Sequence, residues 1–115
     1  MKIATVEQYF PRRRTRLVKV TTDTGLVGWG ETTLEGKPKS TVAAVEEIAE
    51  YLVGKDPLRI EHHWQHIYRS AFYRGGNVLM TALSGIDQAL WDIKGKHYDA
   101  PVYELLGGAV RDRIR

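Results

Sequence analysis

The chain has 115 residues, a formal net charge of +3 and no cysteine. That length gives one domain with room for an apolar core, and the missing cysteines exclude a disulfide framework, thiolate catalysis and a cysteine-ligated metal. No apolar run approaches the roughly 18 residues that a membrane span needs, and the opening MKIATVEQYF lacks the apolar core of a secretion signal; the expectation is a cytoplasmic protein with no membrane partner.

Residues 2–10 read as a strand in which Ala4, Val6 and Phe10 alternate with Thr5, Glu7 and Tyr9. Pro11 ends it, and Arg12-Arg13-Arg14-Thr15 form a loop. Residues 16–22 read as a second strand with Val18 and Val20 on one face. Asp23-Thr24-Gly25 is turn chemistry, and Leu26 to Thr32 is a third strand. Gly28 and Gly30 lie on one side of it, where a missing Cβ lets another backbone come close. Their spacing alone does not make a dinucleotide site, since no third glycine follows and no helix opens from the turn.

Glu31 to Lys39 is a polar loop. Ser40 or Thr41 is the predicted cap of a helix with Val42, Val45, Ile48, Ala49, Leu52 and Val53 on its apolar face. Gly54 stops that helix. Asp56-Pro57 predicts the cap and first residue of a second helix, whose inner face is Ile60, Trp64, Ile67, Tyr68 and Ala71. The loop Tyr73-Arg74-Gly75-Gly76 leads to Asn77 as the next cap. Leu79, Leu83, Ile86, Leu90 and Ile93 then follow at alternating steps of four and three, one face of a long helix. Gly85 and Ala89 leave room for a close neighbour, Asp92 and Lys96 form an i,i+4 pair, and Gly95 marks a stop. Pro101 opens a short last helix that Gly107 and Gly108 end. Strands first and helices after predict an α+β fold: a three-stranded antiparallel meander followed by a bundle of three to four helices on one face. Arg113-Ile114-Arg115 reads as the start of a further strand, so 1–112 form one domain and 113–115 open a second.

Few residues suggest chemistry. His62 and His66 are four apart, a spacing that can serve one metal, but they fall with Arg69 opposite Ile60, Trp64 and Ile67 and read as surface histidines. His97 sits where a helix dipole favours a cation. Asp87 lies beside the apolar stripe of the long helix; a structural acid is the simpler reading than a catalytic base, and more so for Asp92. Trp29, Trp64 and Trp91 read as packing residues. The basic clusters Arg12-Arg13-Arg14, Arg16 and Arg111, Arg113, Arg115 permit a stand-alone binding module for nucleic acid. They hold no interleaved aromatics, and solvated charge with no nucleic-acid partner is the simpler reading.

One stretch carries a resemblance. Ala82-x-Ser84-Gly85-Ile86-Asp87-x-Ala89-Leu90-x-Asp92-Ile93-x-Gly95-Lys96, then Pro101-Val102-x-x-Leu105-Leu106-Gly107, resembles the first signature of the mandelate racemase/muconate lactonizing enzyme family of the enolase superfamily. Gly25-Leu26-Val27-Gly28-Trp29-Gly30-Glu31 is similar to that family's third strand. Glu35-Gly36, Gly54-x-Asp56-Pro57 and Tyr73-Arg74-Gly75-Gly76 are most similar to its galactonate dehydratase branch, with mannonate, gluconate and rhamnonate dehydratases and mandelate-type racemases as alternatives.

The resemblance implies an enolase N-terminal domain-like fold that caps a C-terminal (β/α) barrel. It implies a Mg²⁺-dependent lyase that takes the proton α to a carboxylate and then loses water, giving a 2-keto-3-deoxy sugar acid. Mg²⁺ and the catalytic groups are expected in the barrel, with no catalytic or metal-binding residue in this chain. The cap supplies two loops, Pro11 to Thr15 and Thr32 to Pro38, that close over an acid-sugar substrate. Arg14 and Lys37 are the expected donors to it, Glu35 the expected acceptor, and a homo-oligomer the expected assembly.

Overall fold

Val18, Val20 and Thr22 alternate inward along the central strand of a small sheet, each almost wholly buried. The computed structural model describes residues 1–114. Its strands are β1 (Ile3–Tyr9), β2 (Leu17–Thr22) and β3 (Val27–Glu31). They pair antiparallel in the order β1-β2-β3, the meander expected from their short turns. Four helices follow: α1 (Pro38–Leu52), α2 (Ile60–Ser70), α3 (Asn77–Tyr98) and α4 (Val102–Leu105). The α+β architecture is the one the element order predicts.

The core lies between one sheet face and the helices. Ile3, Val18 and Val20 meet Val45 and Leu52 of α1 and Ile86, Ala89, Leu90 and Ile93 of α3. The glycines of β3 set the spacing. A Cβ on Gly28 would collide with the carbonyl of Ala89, and one on Gly30 with that of Gly85. The strand therefore lies directly on the α3 backbone, as Gly28, Gly30, Gly85 and Ala89 predict.

The two sheet edges are met differently, β1 by backbone at its first residue and β3 by side chains along its length. At β1, Ile3 N donates to Lys55 O and Gly54 N donates to Ile3 O, each at 2.8 Å. At β3, three side chains of α3 one turn apart take the place of a fourth strand. Gln88 Oε1 accepts from Glu31 N at 3.0 Å, Asp92 Oδ2 accepts from Trp29 N at 3.0 Å, and Lys96 Nζ donates to Val27 O at 2.7 Å. A helix rises about 6 Å in four residues and a strand about 6.7 Å in two, so the rungs match.

Several boundaries differ from the sequence expectation, each for a local reason. The β1–β2 register shifts between Ile3 and Thr5, which turns Ile3 inward and leaves Ala4 exposed; Phe10 is exposed too. Helix α1 starts at Pro38 rather than after Ser40 or Thr41, because proline suits a first helical turn. Thr41 is buried and its hydroxyl donates to Lys37 O at 3.1 Å. Asp56 does not cap α2. Its carboxylate accepts from Leu58 N at 2.9 Å within a turn, and the helix begins at Ile60. Gly76, not Asn77, occupies the cap position of α3, with φ 84°. Gly95 stops nothing: the helix runs on to Tyr98, and the absence of a Cβ there admits Ala100 O. Arg113 and Ile114 lie in irregular backbone, and Arg115 lies outside the described residues. No helix among the described residues is long and apolar enough to cross a membrane.

Candidate functional site

The two loops singled out by sequence lie side by side, because β1–β2 and β2–β3 are adjacent hairpins and both loops leave the same end of the sheet. The last ladder pair of β2 and β3 is Leu17 opposite Glu31. Beyond it, Thr32 N donates to Arg16 O at 2.9 Å and Arg16 N donates to Thr33 Oγ1 at 3.0 Å. At the tips, Arg14 Nη1 donates to Glu35 Oε1 at 3.4 Å. A depression of about 250 Å³ lies there, lined by Arg13, Arg14, Leu34, Glu35, Gly36 and Pro38.

The structure thus brings Arg14 and Glu35 together. Lys37 is not in that contact: it is exposed at the start of α1, where its carbonyl accepts from Thr41. The guanidinium and carboxylate of the Arg14–Glu35 pair are each more than four-fifths exposed, so the pair stands in water and contributes about 0–1 kcal/mol to the fold. A paired donor and acceptor beside an open depression can be handed to a polyol carrying an anionic end: the guanidinium to oxygens, the carboxylate to hydroxyls.

Arg16 departs from its reading as solvated charge. Its Nη1 lies 3.0 Å from Thr15 O, 3.3 Å from Arg13 O and 3.5 Å from Arg12 O, and its guanidinium sits 4.8 Å from the centroid of the Phe10 ring. No periodicity announces such a role; the only signal is an arginine directly after the loop it wraps.

His62 and His66 are exposed on α2, as their helical position predicts. The residue that sequence reasoning passed over is His63, which is buried. Its Nε2 lies 2.7 Å from Asp56 O and its Nδ1 lies 2.9 Å from Tyr51 Oη. A carbonyl only accepts, so Nε2 carries the proton and Nδ1 accepts from the tyrosine hydroxyl. Burial is the main cause that holds His63 below the usual histidine range, while the Asp56 carbonyl works against it. Asp87 is half-buried beside the α3 stripe; burial first, and then the charge of Glu61, push its carboxyl up. Asp92 holds the β3 edge and pairs with Lys96 at 2.8 Å, a structural role. Trp64 and Trp91 are partly buried, whereas Trp29 lies on the outer sheet face against Tyr9, ring centroids 5.4 Å apart.

Among the described residues no group of three His, Cys, Asp or Glu side chains is placed to hold a metal ion.

A two-layer α+β domain, with the β1–β2 loop and the β3–α1 loop side by side and carrying charge at one sheet end, is the class that fold and site define. The family described as "Mandelate racemase / muconate lactonizing enzyme, N-terminal domain" matches residues 3–107. D-galactonate dehydratase of Xanthomonas euvesicatoria pv. vesicatoria is 57% identical over 115 residues, which is 100% of this chain and 30% of that relative. Among solved structures, an enolase from Pantoea ananatis with bound D-gluconate and Mg is 43% identical with a TM-score of 0.90, over 96% of this chain and 28% of that one. A member of the enolase superfamily from Salmonella Typhimurium is 34% identical with a TM-score of 0.93, over 99% of this chain and 31% of that one. The chain belongs to the mandelate racemase/muconate lactonizing enzyme family and corresponds to its N-terminal domain. It spans about 30% of the length of the curated relatives it matches.

Proposed function

We propose that this chain is the capping domain of a magnesium-dependent sugar-acid dehydratase, a lyase that removes water from an aldonate such as D-galactonate to give a 2-keto-3-deoxy sugar acid. The observation that carries this reading is the 57% identity to D-galactonate dehydratase across all 115 residues. On this reading residues 1–112 are the cap and 113–115 lead into a (β/α) barrel, which holds the magnesium ligands and the acid and base groups, at the C-terminal ends of its strands. The protein is then a cytoplasmic homo-oligomer acting on a small anionic substrate.

The cap's own work is recognition and closure. Arg14 and Lys37 donate to substrate oxygens, Glu35 accepts from hydroxyls, and the two loops exclude water from the reacting carbon. Closure raises the worth of the Arg14 and Glu35 contacts, because charge pairs weaken in water and strengthen as water leaves.

A gluconate dehydratase is the alternative that a specific observation favours, since the enolase from Pantoea ananatis has bound D-gluconate and Mg. A basic nucleic-acid module is disfavoured by Arg16, which is spent on loop carbonyls, and by Arg14, which is paired.

The test is a substrate panel. Full-length protein carrying this domain is incubated with Mg²⁺ and galactonate, gluconate, mannonate or rhamnonate, and the 2-keto-3-deoxy product is measured. Preference for galactonate is expected. Preference for gluconate moves the reading to the alternative, and no product from any acid overturns the dehydratase reading.

A further inference from the structure

The two loops are joined by more than the exposed pair at their tips. Arg16 holds the first loop through the carbonyls of Arg12, Arg13 and Thr15. The same residue holds the second loop through its backbone: its carbonyl accepts from Thr32 N, and its amide donates to the Thr33 hydroxyl. Thr32 is fully buried, and its methyl sits where a Cβ on Gly85 would be, so the junction is seated on α3. One residue thus grips both loops at a point fixed to the core, while Arg14 and Glu35 extend from it into water.

We propose that Arg16 and Thr33 form a pin that makes the two loops one body, so that Arg14 and Glu35 meet the sugar acid already assembled. This rests on the reading of those loops as a substrate cap. Arg16 and Thr33 are positioning residues, acting through Arg14 and Glu35. Two independently moving loops would each lose freedom on binding, and a pinned pair loses less, which favours affinity. Thr33 is the part of the pin a side-chain change can reach, because its hydroxyl is the acceptor for Arg16 N. Arg16 reaches the three carbonyls of the first loop through Nη1 alone.

The test uses the full-length protein with Thr33→Val, which keeps the β-branch and removes the acceptor, and Thr33→Ser, which restores it. Thr33→Val is expected to raise KM for the preferred aldonate about tenfold, the ratio one lost hydrogen bond amounts to, and to leave kcat within about twofold. Thr33→Ser is expected to return KM to the wild-type value. Without substrate, Thr33→Val is expected to speed amide hydrogen exchange in residues 12–16 and 33–37 together. An unchanged KM, an equal loss of kcat and kcat/KM, or faster exchange in only one of the two segments overturns the pin. A wild-type protein that converts no aldonate sinks the dehydratase reading instead, and the exchange comparison still decides whether the loops are pinned.

Discussion

Asp92 and Lys96 make an ion pair at 2.8 Å; Arg14 and Glu35 make one at 3.4 Å. Their surroundings separate them. Asp92 and Lys96 are also bonded to the backbone of β3, at Trp29 N and Val27 O, and so belong to the sheet. Among the described residues Arg14 and Glu35 bond only to each other, far out in solvent. The first pair fixes an edge strand that would otherwise offer unpaired N–H and C=O groups to another chain. The second commits almost nothing to the fold, and that leaves it available to a ligand. Of these two pairs, the one bonded to backbone holds structure and the other bonds only its mate.

The strongest way to break the comparison is at the β3–α3 seam that supports the first pair. Gly30→Val places side-chain atoms against the Gly85 carbonyl, which cannot yield as a flexible side chain would. A cost of about 3 kcal/mol or more is expected, on the order of 10 °C in Tm. Thermal unfolding reads it, and a Tm within a degree or so of wild type would refute direct backbone packing at this seam. Asp92→Ala is the milder break. It leaves Trp29 N unpaired at a partly solvated edge, for a cost of about 1–2 kcal/mol by urea unfolding. Lys96 retains its bond to Val27 O, which keeps the loss below that of a fully buried pair.

Acid pH sharpens the contrast from a third place. His63 ties α1, through Tyr51, to the turn at Asp56; burial first, and then the neighbours His62 and Arg59, work against its protonation, and Asp56 works for it. Its folded pKa is below the unfolded one, so between the two the unfolded chain binds the extra proton. Stability is therefore expected to fall as pH drops below about 6.5, the unfolded histidine value, and to stop falling on this account once the folded form protonates as well. Replacement by Gln should flatten the urea midpoint over that window. Asp87 has the opposite sign. Burial and Glu61 raise its folded pKa, so the native form keeps its proton longer, and stability is lost as pH rises through the interval above the unfolded value. Asp87→Asn should accordingly raise Tm slightly at neutral pH; a lower Tm there would show a hydrogen-bonded carboxylate instead.

What was legible in the sequence follows the same division. The α3 stripe, the inward Val18 and Val20 and the Gly28–Gly30 approach were readable, because periodicity and a missing Cβ report what one element needs along its own length. The β3 edge rungs were not, although Asp92–Lys96 was. A pair four residues apart shows in the sequence, but a carboxylate bonded to an amide 63 residues away does not. Ala4 was misplaced because a register shift resets which side of β1 faces inward, and the start of α2 because Asp56 closes a turn before it caps anything. His63 was passed over and Arg16 was read as solvated charge for one shared reason: each has a main-chain oxygen among its partners, which every residue type supplies and no motif advertises. The loop positions of Arg14 and Glu35 came from the family resemblance, and their contact came only from the fold.

The smallest expected effect on stability is the most informative about function. Glu35→Ala removes an exposed pair and should change the unfolding free energy in urea by no more than about 1 kcal/mol. In the full-length enzyme the same change should lower kcat/KM for the preferred aldonate at least about tenfold, since a carboxylate bonded to substrate hydroxyls in a closed, drier site is worth more than one in water. Arg14→Ala should do the same, and the double variant should lose less than the two single losses combined, because each partner alone is left without its mate. Fully additive losses would separate the two residues and leave Arg14 and Glu35 as independent loop charges. If kcat/KM stays unchanged in both single variants, the exposed pair lies outside the substrate's reach, and solvent exposure alone says nothing of recognition at this end of the sheet.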